Sequence, residues 1–155
     1  MIETLGNLGD FLGGVGVIVT LIYLAYQIRQ NTKSIRISAF QAAQRDVAQF
    51  MDSLATDPEL VRIFFEGGRS FPELDQNDRQ RYAALMVSLC KRLETIVHEV
   101  NAGHIEPNQC EGIIEHCRVT LEQPGAKQWW SEAQFLFNSE LRDHVAKHQP
   151  LKGAA

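Results

Sequence analysis

An acid and a histidine stand one helical turn apart in the middle of the chain. Glu94 and His98 are four positions apart, so a helix places both side chains on one face, and Glu99 follows directly. Arg92 lies on the same predicted helix and could pair with a carboxylate from another helix. Such a set can transfer protons if it borders a pocket. The alternative is an exposed helix pair that contributes about 0.2–0.5 kcal/mol.

Histidines and cysteines in the last third of the chain are the other candidates for chemistry. His116 adjoins Cys117, with His104 and Cys110 nearby, and this group could bind a ligand or a metal. The two cysteines, however, share an apolar stripe with neighbouring isoleucines, which is typical of core thiols. We therefore predict no metal site here.

A second histidine pair lies near the end of the chain. His144 and His148 are four residues apart and could hold a metal if a third ligand came from elsewhere. Two solvated histidines on a terminal helix are the simpler interpretation. No phosphate-binding loop, nucleophile elbow or His-Glu-x-x-His pattern is present in the sequence. We predict no cofactor and no catalytic residue.

The element that must position these residues begins with an apolar stretch from Phe11 to Ile28. It has 18 residues and no ionisable group apart from two tyrosines. At about 1.5 Å per residue, it approaches the thickness of a bilayer's hydrocarbon core. We interpret it as a transmembrane helix. A cleaved signal peptide and a buried helix of a soluble protein are the alternatives.

Charges on either side of this stretch predict its orientation. Only acids precede it, whereas the residues that follow are mostly basic. Because positive charge collects on the cytoplasmic side, we expect the N-terminus outside and the rest of the chain inside. The residues predicted to lie at the inner membrane interface are Tyr23, Tyr26, Arg29, Lys33 and Arg36.

Small residues recur along one side of the predicted span. Gly6, Gly9, Gly13, Gly16 and Thr20 are spaced by three or four positions and so form one stripe of a helix, here called the glycine face. Such a surface lets two helix backbones approach closely in lipid. We predict a homo-oligomer that assembles through this face. A pore would need polar liners, and the face offers only Thr20.

The rest of the chain has helical periodicity throughout, and no stretch alternates long enough to predict a strand. We predict an all-α protein in which the transmembrane helix continues into an amphipathic helix that ends near Ala55, followed by a small helical bundle. The predicted starts are Asp57-Pro58, Asp75, Pro107 and Asn138 or Ser139. Predicted breaks are Gly67-Gly68, Asn101 to Gly103 and Pro124-Gly125.

Composition limits the size and partners of the soluble part. Of 155 residues, we assign 1–30 to the anchor, 31–148 to a cytoplasmic helical domain and 149–155 to a disordered tail. The net charge is −4 and most acids follow Asp52, which argues against nucleic acid as a partner. The aromatic residues Trp129, Trp130, Phe135 and Phe137 are predicted to belong to the core, and a docking patch for a partner or the membrane is the alternative.

The N-terminal region has a recognisable pattern. Leu21 to Thr32, after a glycine-rich apolar run, resembles the start of a group of uncharacterised bacterial proteins with a single membrane anchor. The resemblance extends to Arg92-Leu93-Glu94, Gly103-His104-Ile105, Gly125 to Trp130 and Asn138 to Leu141. The resemblance implies a bacterial source and a single membrane span, and no particular activity. Together with the charge pattern, it leads us to expect a location in the bacterial inner membrane.

Taken with the residues, this favours a self-associating membrane scaffold that binds the bilayer and an unidentified protein partner. A small membrane-bound enzyme or a ligand or metal sensor, using the Glu94/His98 or Cys110/His116 region, is the alternative.

Overall fold

The computed structural model describes the backbone of residues 2–147 and the side chains of residues 13–147. Its helices are α1 (Ile2–Ala55), α2 (Pro58–Arg69), α3 (Gln76–Asn101), α4 (Pro107–Glu122), α5 (Pro124–Ala133) and α6 (Ser139–Lys147). Two 3-10 turns, Phe71–Glu73 and Gln134–Leu136, join some of them. Strands are absent from the residues described, so the prediction of an all-α fold is confirmed.

Helix α1 continues from the predicted span into the amphipathic segment without a break. Among the residues that the structure describes, no helix offers a stretch of the length and hydropathy required of a membrane span. Phe11 and Leu12, which open the predicted span, and Gly6 and Gly9 lie outside the described side chains. The disordered tail predicted for 149–155 also lies outside the described residues.

The chain divides into two compact units, Met1–Ile37 and Ser38–Ala155. Every described side chain of the first unit is exposed, from Gly13 onward. The second unit contains the hydrophobic core, and the predicted domain division at residues 30 and 31 stays a prediction. The largest fully buried side chains of the core are Phe50, Ile63, Tyr82, Met86, Ile96, Ile105 and Leu141.

Helix α3 is the centre of the second unit and packs against α2, α4 and α6, while α5 packs against α2 and α4. Its apolar positions recur at helical spacing and are buried on several sides, because helices surround it. The C-terminal part of α1 contributes Ala43, Phe50 and Leu54 to the same core. The amphipathic pattern after Ile35 therefore predicted the buried side of this segment correctly.

The predicted helix starts are confirmed by their capping bonds. Asp57 Oδ1 accepts from the Glu59 backbone N–H at 2.9 Å. Asp75 Oδ1 accepts from the Asp78 N–H at 2.9 Å, and Asn138 Oδ1 accepts from the Leu141 N–H at 2.8 Å. Each bond satisfies an amide that the first helical turn leaves unpaired.

The predicted end of α2 at Gly67-Gly68 lies one residue from the observed end, but the prediction that these glycines close the helix is wrong. Helix α2 continues to Arg69, and both glycines are buried inside it. A Cβ on Gly125 would lie 2.0 Å from the Gly67 carbonyl oxygen, and one on Gly67 would lie 2.2 Å from Tyr82 Cδ2. These glycines therefore permit the close approach of α2 to α5 and α3, which no local pattern in the sequence reveals.

Candidate functional site

Glu94 binds two groups that fix the corner before α6. Its Oε2 lies 2.7 Å from Lys91 Nζ, and its Oε1 accepts from the Asn138 backbone N–H at 2.5 Å. Lys91 Nζ also donates to the Leu136 carbonyl at 3.1 Å and lies 5.1 Å from the centre of the Phe137 ring. These bonds tie α3 to a segment more than forty residues away. Glu94 therefore acts as a structural bridge.

The pKa of Glu94 follows from these surroundings. Burial raises the pKa of the Glu94 carboxyl. The hydrogen bonds from Lys91 and from the Asn138 amide lower it by a larger amount, so the pKa falls below its ordinary value of 4.5. A lowered folded-state pKa stabilises the protein above the unfolded-state pKa. That stabilisation is lost as the pH falls through the folded-state value.

We expect Glu94→Gln to lower the free energy of unfolding by about 1 kcal/mol at neutral pH, because one charge-assisted contact is lost. The difference in unfolding free energy between the variant and the unmodified chain should shrink when the pH falls below 4.5, the ordinary pKa of a glutamate side chain. Urea unfolding followed by tryptophan fluorescence at several pH values measures both effects. Glu111→Gln, on the exposed side of α4, is the matched control and should change neither. A difference that stays constant down to low pH would contradict the assignment.

His98 has a different partner. Its Nδ1 lies 3.3 Å from Glu140 Oε2, and the nearby His104 Nδ1 lies 2.9 Å from Glu99 Oε2. Both histidine side chains are exposed. The structure thus brings His98 to α6, whereas Glu94 is held by Lys91 and Asn138, so the two do not form the predicted pair.

The cysteines behave as core thiols. Cys90, Cys110 and Cys117 are all buried and unpaired. Burial raises the pKa of all three thiols, that of Cys117 to about 12. A nucleophilic or metal-binding cysteine needs the thiolate, which these environments disfavour. Among the residues described, no three His, Cys, Asp or Glu side chains are grouped as metal ligands.

Of the terminal histidine pair, only His144 is described. Its side chain is half-buried, and this burial lowers its pKa. His148 lies outside the described residues.

Some residues of the aromatic segment lie in the core and others are exposed. Trp129 and Phe137 are buried, and the Phe137 ring stacks on Trp130 with 5.3 Å between ring centres. Phe135 is 73% exposed and Leu136 is 46% exposed. The tryptophans therefore belong mainly to the core, and the 3-10 turn after α5 presents a small apolar surface.

An ion cluster around Arg62 was not predicted. Arg62 pairs with Glu59 at 2.7 Å and with Glu66 on its own helix, and its Nη2 lies 2.6 Å from Asp78 Oδ2 on α3. Asp78 is one of two polar residues buried among those described. The spacing of Glu59, Arg62 and Glu66 signals the pairs within α2. The link to Asp78 depends on the packing of α2 against α3, which the sequence does not reveal.

A cavity of about 200 Å³ lies between α1, α3 and α4 within the second unit. Its walls are mainly apolar and include Phe50, Met51, Leu93, Ile96 and Ile113. Arg92, Gly112 and His116 also line it. His116 was a predicted candidate and Arg92 was considered only as an ion-pair partner. Their convergence on one cavity is the feature that sequence reasoning missed.

The residues predicted for the membrane lie on α1. Gly13, Gly16 and Thr20 are exposed, and Thr20 Oγ1 donates to the Gly16 carbonyl at 2.8 Å. The interface set is also exposed: Tyr23, Tyr26, Arg29, Lys33 and Arg36. Tyr23 accepts a hydrogen bond from Gln27 at 3.0 Å.

Comparison with family models, curated proteins and solved structures gives no match. Function must therefore be inferred from this chain's own residues.

Proposed function

We propose that this chain is a single-pass protein of the bacterial inner membrane, with its N-terminus outside and its helical domain in the cytoplasm. The observation that carries this proposal is the exposed apolar surface of α1. Ten large apolar or tyrosine side chains from Val15 to Ile28 have exposed fractions between 43% and 66%. Removing apolar surface from water contributes about 25 cal/mol per Å², so this surface favours a hydrocarbon environment.

The sequence around this surface supports the same placement. The uncharged run begins at Phe11, two residues before the described side chains begin, and continues to Ile28. The basic residues Arg29, Lys33 and Arg36 follow it directly, where anionic headgroups would attract them. Tyr23 and Tyr26 precede them at the depth where amphipathic rings are favoured.

The glycine face supports self-association within the membrane. A Cβ added to Gly13 or Gly16 would have no neighbour within 4 Å, which leaves this side of α1 open to a second helix. The Thr20 hydroxyl already donates to the Gly16 carbonyl, so a partner backbone can pack there without leaving an unpaired donor in lipid. We infer a homo-oligomer of unknown number.

We expect replacement of Gly9, Gly13 and Gly16 together by leucine to convert the oligomer into monomers. Three bulky side chains would separate the backbones and remove the close contacts. Crosslinking in membranes and light scattering in mild detergent measure the assembly size. The matched control replaces Val15, Ile18 and Ile22 by leucine on the opposite side of α1 and should leave the size unchanged. An unaltered oligomer in the glycine variant would contradict the proposal.

The role of the helical domain is proposed to be binding or scaffolding of a protein partner. The polar clusters around Glu94, His98 and Arg62 are engaged in contacts between helices, which suits a structural role. The exposed apolar residues Phe135 and Leu136 are candidates for partner contact. The alternative of a ligand sensor in the Cys110/His116 region is favoured by one observation, the cavity that reaches His116 and Cys117.

A further inference from the structure

The cavity between α1, α3 and α4 has the size and lining of a site for a small ligand. The cavity measures about 200 Å³ and is partly open to solvent, since Gly112 and His116 in its lining are exposed. For scale, an enclosed apolar protein cavity of roughly 150 Å³ can bind benzene. The cavity in this protein is below the range of about 300–1,000 Å³ typical of sites for drug-sized molecules. The occupant must therefore be smaller than a phospholipid or a nucleotide, with an apolar part similar to one ring or a short chain.

Gly112 opens the α4 side of this cavity. A glycine within a helix costs about 1 kcal/mol relative to alanine. At Gly112 no close packing requires it, because a Cβ there would meet nothing within 4 Å. Gly112 is exposed where the cavity opens to solvent, so a bulky side chain there would restrict access to the cavity.

Arg92 gives the cavity a charge. Its Nε donates to the Asp46 carbonyl at 2.8 Å, and its Nη1 donates to the Ser88 carbonyl at 2.9 Å and to the Ser88 hydroxyl, so these partner groups are uncharged. The guanidinium also lies 5.4 Å from the centre of the Phe50 ring. In the described part of the chain, no carboxylate lies within ion-pair distance of Arg92, so the cavity lining carries a positive charge.

A half-buried cation without a carboxylate partner is complementary to an anion. The backbone bonds to Asp46 and Ser88 fix the guanidinium, which lowers the entropic cost of orienting it toward a ligand. His116 lines the same cavity and adds a second nitrogen that can donate a hydrogen bond.

We propose that this cavity binds a small organic carboxylate whose apolar part is about the size of a benzene ring or a five-carbon chain. The carboxylate is received by Arg92, with His116 as a second donor. The apolar part lies against Phe50, Leu93, Ile96 and Ile113. This inference specifies the ligand class of the sensor alternative named above and is independent of the membrane anchor.

The methionines supply a direct probe of the site. The chain has three, of which Met51 lines the cavity and Met86 is fully buried outside its lining. The full chain, labelled with ¹³C in its methionine methyl groups, is placed in nanodiscs of phosphatidylcholine and titrated with hexanoate. We expect the Met51 signal to shift and saturate while the Met86 signal stays in place. Hexanol and acetate should need at least about tenfold higher concentrations to produce the same shift, because hexanol lacks the carboxylate and acetate lacks the apolar chain.

Two pairs of variants test the geometry. Gly112→Leu should block the opening of the cavity and abolish the Met51 shift, whereas Val119→Leu, on the same helix but outside the cavity lining, should not. Arg92→Gln should weaken hexanoate binding by about tenfold or more. Arg118→Gln removes the same charge outside the cavity lining and should leave binding unchanged, while Arg92→Lys should retain most of it.

Several results would overturn the proposal. These are equal binding of hexanol and hexanoate, a Met51 shift that persists in Gly112→Leu with an unchanged Met86 signal, or equal effects of Arg92→Gln and Arg118→Gln. In a second preparation, part of the phosphatidylcholine is replaced by anionic phosphatidylglycerol. A Met51 shift caused by this lipid, with no further change on adding hexanoate, would also overturn the proposal. If Gly112→Leu disturbs Met86, the hexanoate, hexanol and arginine comparisons decide the matter. Every variant should associate with the membrane to the same extent. A failure of hexanoate binding is therefore distinguishable from a failure of the anchor proposal.

Discussion

Gly125→Ala is expected to destabilise the helical unit by about 3 kcal/mol or more. The added Cβ would lie 2.0 Å from the Gly67 carbonyl oxygen and 2.7 Å from the Phe71 backbone nitrogen. Both neighbours are backbone atoms, so no side-chain rotation can relieve the overlap. The contact between α2 and α5 would have to open.

Tryptophan fluorescence during urea unfolding measures this effect directly. The only two tryptophans, Trp129 and Trp130, lie in α5 a single turn beyond Gly125, so the signal reports on this unit. Gly112→Ala is the matched control and should raise stability by about 0.5–1 kcal/mol, since its Cβ has open space. Gly68→Ala should fall between them, because its nearest neighbour is the flexible end of Gln123. Equal unfolding midpoints for Gly125→Ala and Gly112→Ala would refute the close-packing account.

Val19→Arg is expected to shift most of the protein from the membrane to the extractable fraction. Val19 is near the middle of the uncharged run and 60% exposed on α1. Arginine at the centre of a spanning helix costs about 2.5–3.5 kcal/mol on insertion scales. The run is near the lower length limit and rich in glycine, so it has little surplus apolar character to compensate.

Alkaline extraction of membranes followed by immunoblotting measures the distribution, and reporter domains fused at each terminus measure orientation. Val119→Arg makes the same change on an exposed position of α4 and should leave the protein in the membrane. Recovery of the unmodified chain as a monomer without lipid or detergent would remove the anchor proposal and the oligomer proposal together.

Local signals were sufficient for most helix boundaries. Asp57, Asp75 and Asn138 accept hydrogen bonds from amides two or three residues ahead, so their effect depends only on neighbouring sequence. Apolar spacing likewise identified the buried sides of α3 and α4. Gly67-Gly68 was misread because glycine serves equally at a helix end and at a close contact between helices, and only the position of Gly125 distinguishes the two uses.

The sequence by itself determined the all-helical class, the order of the helices and the uneven distribution of charge, because each arises from residues within one or two turns of each other. Only the tertiary structure decided the roles of the polar residues. Glu94 meets the Asn138 amide, and Arg92 meets the Asp46 carbonyl, across more than forty residues of chain. The strength and direction of an electrostatic contact depend on distance and burial, and both are set when helices pack together.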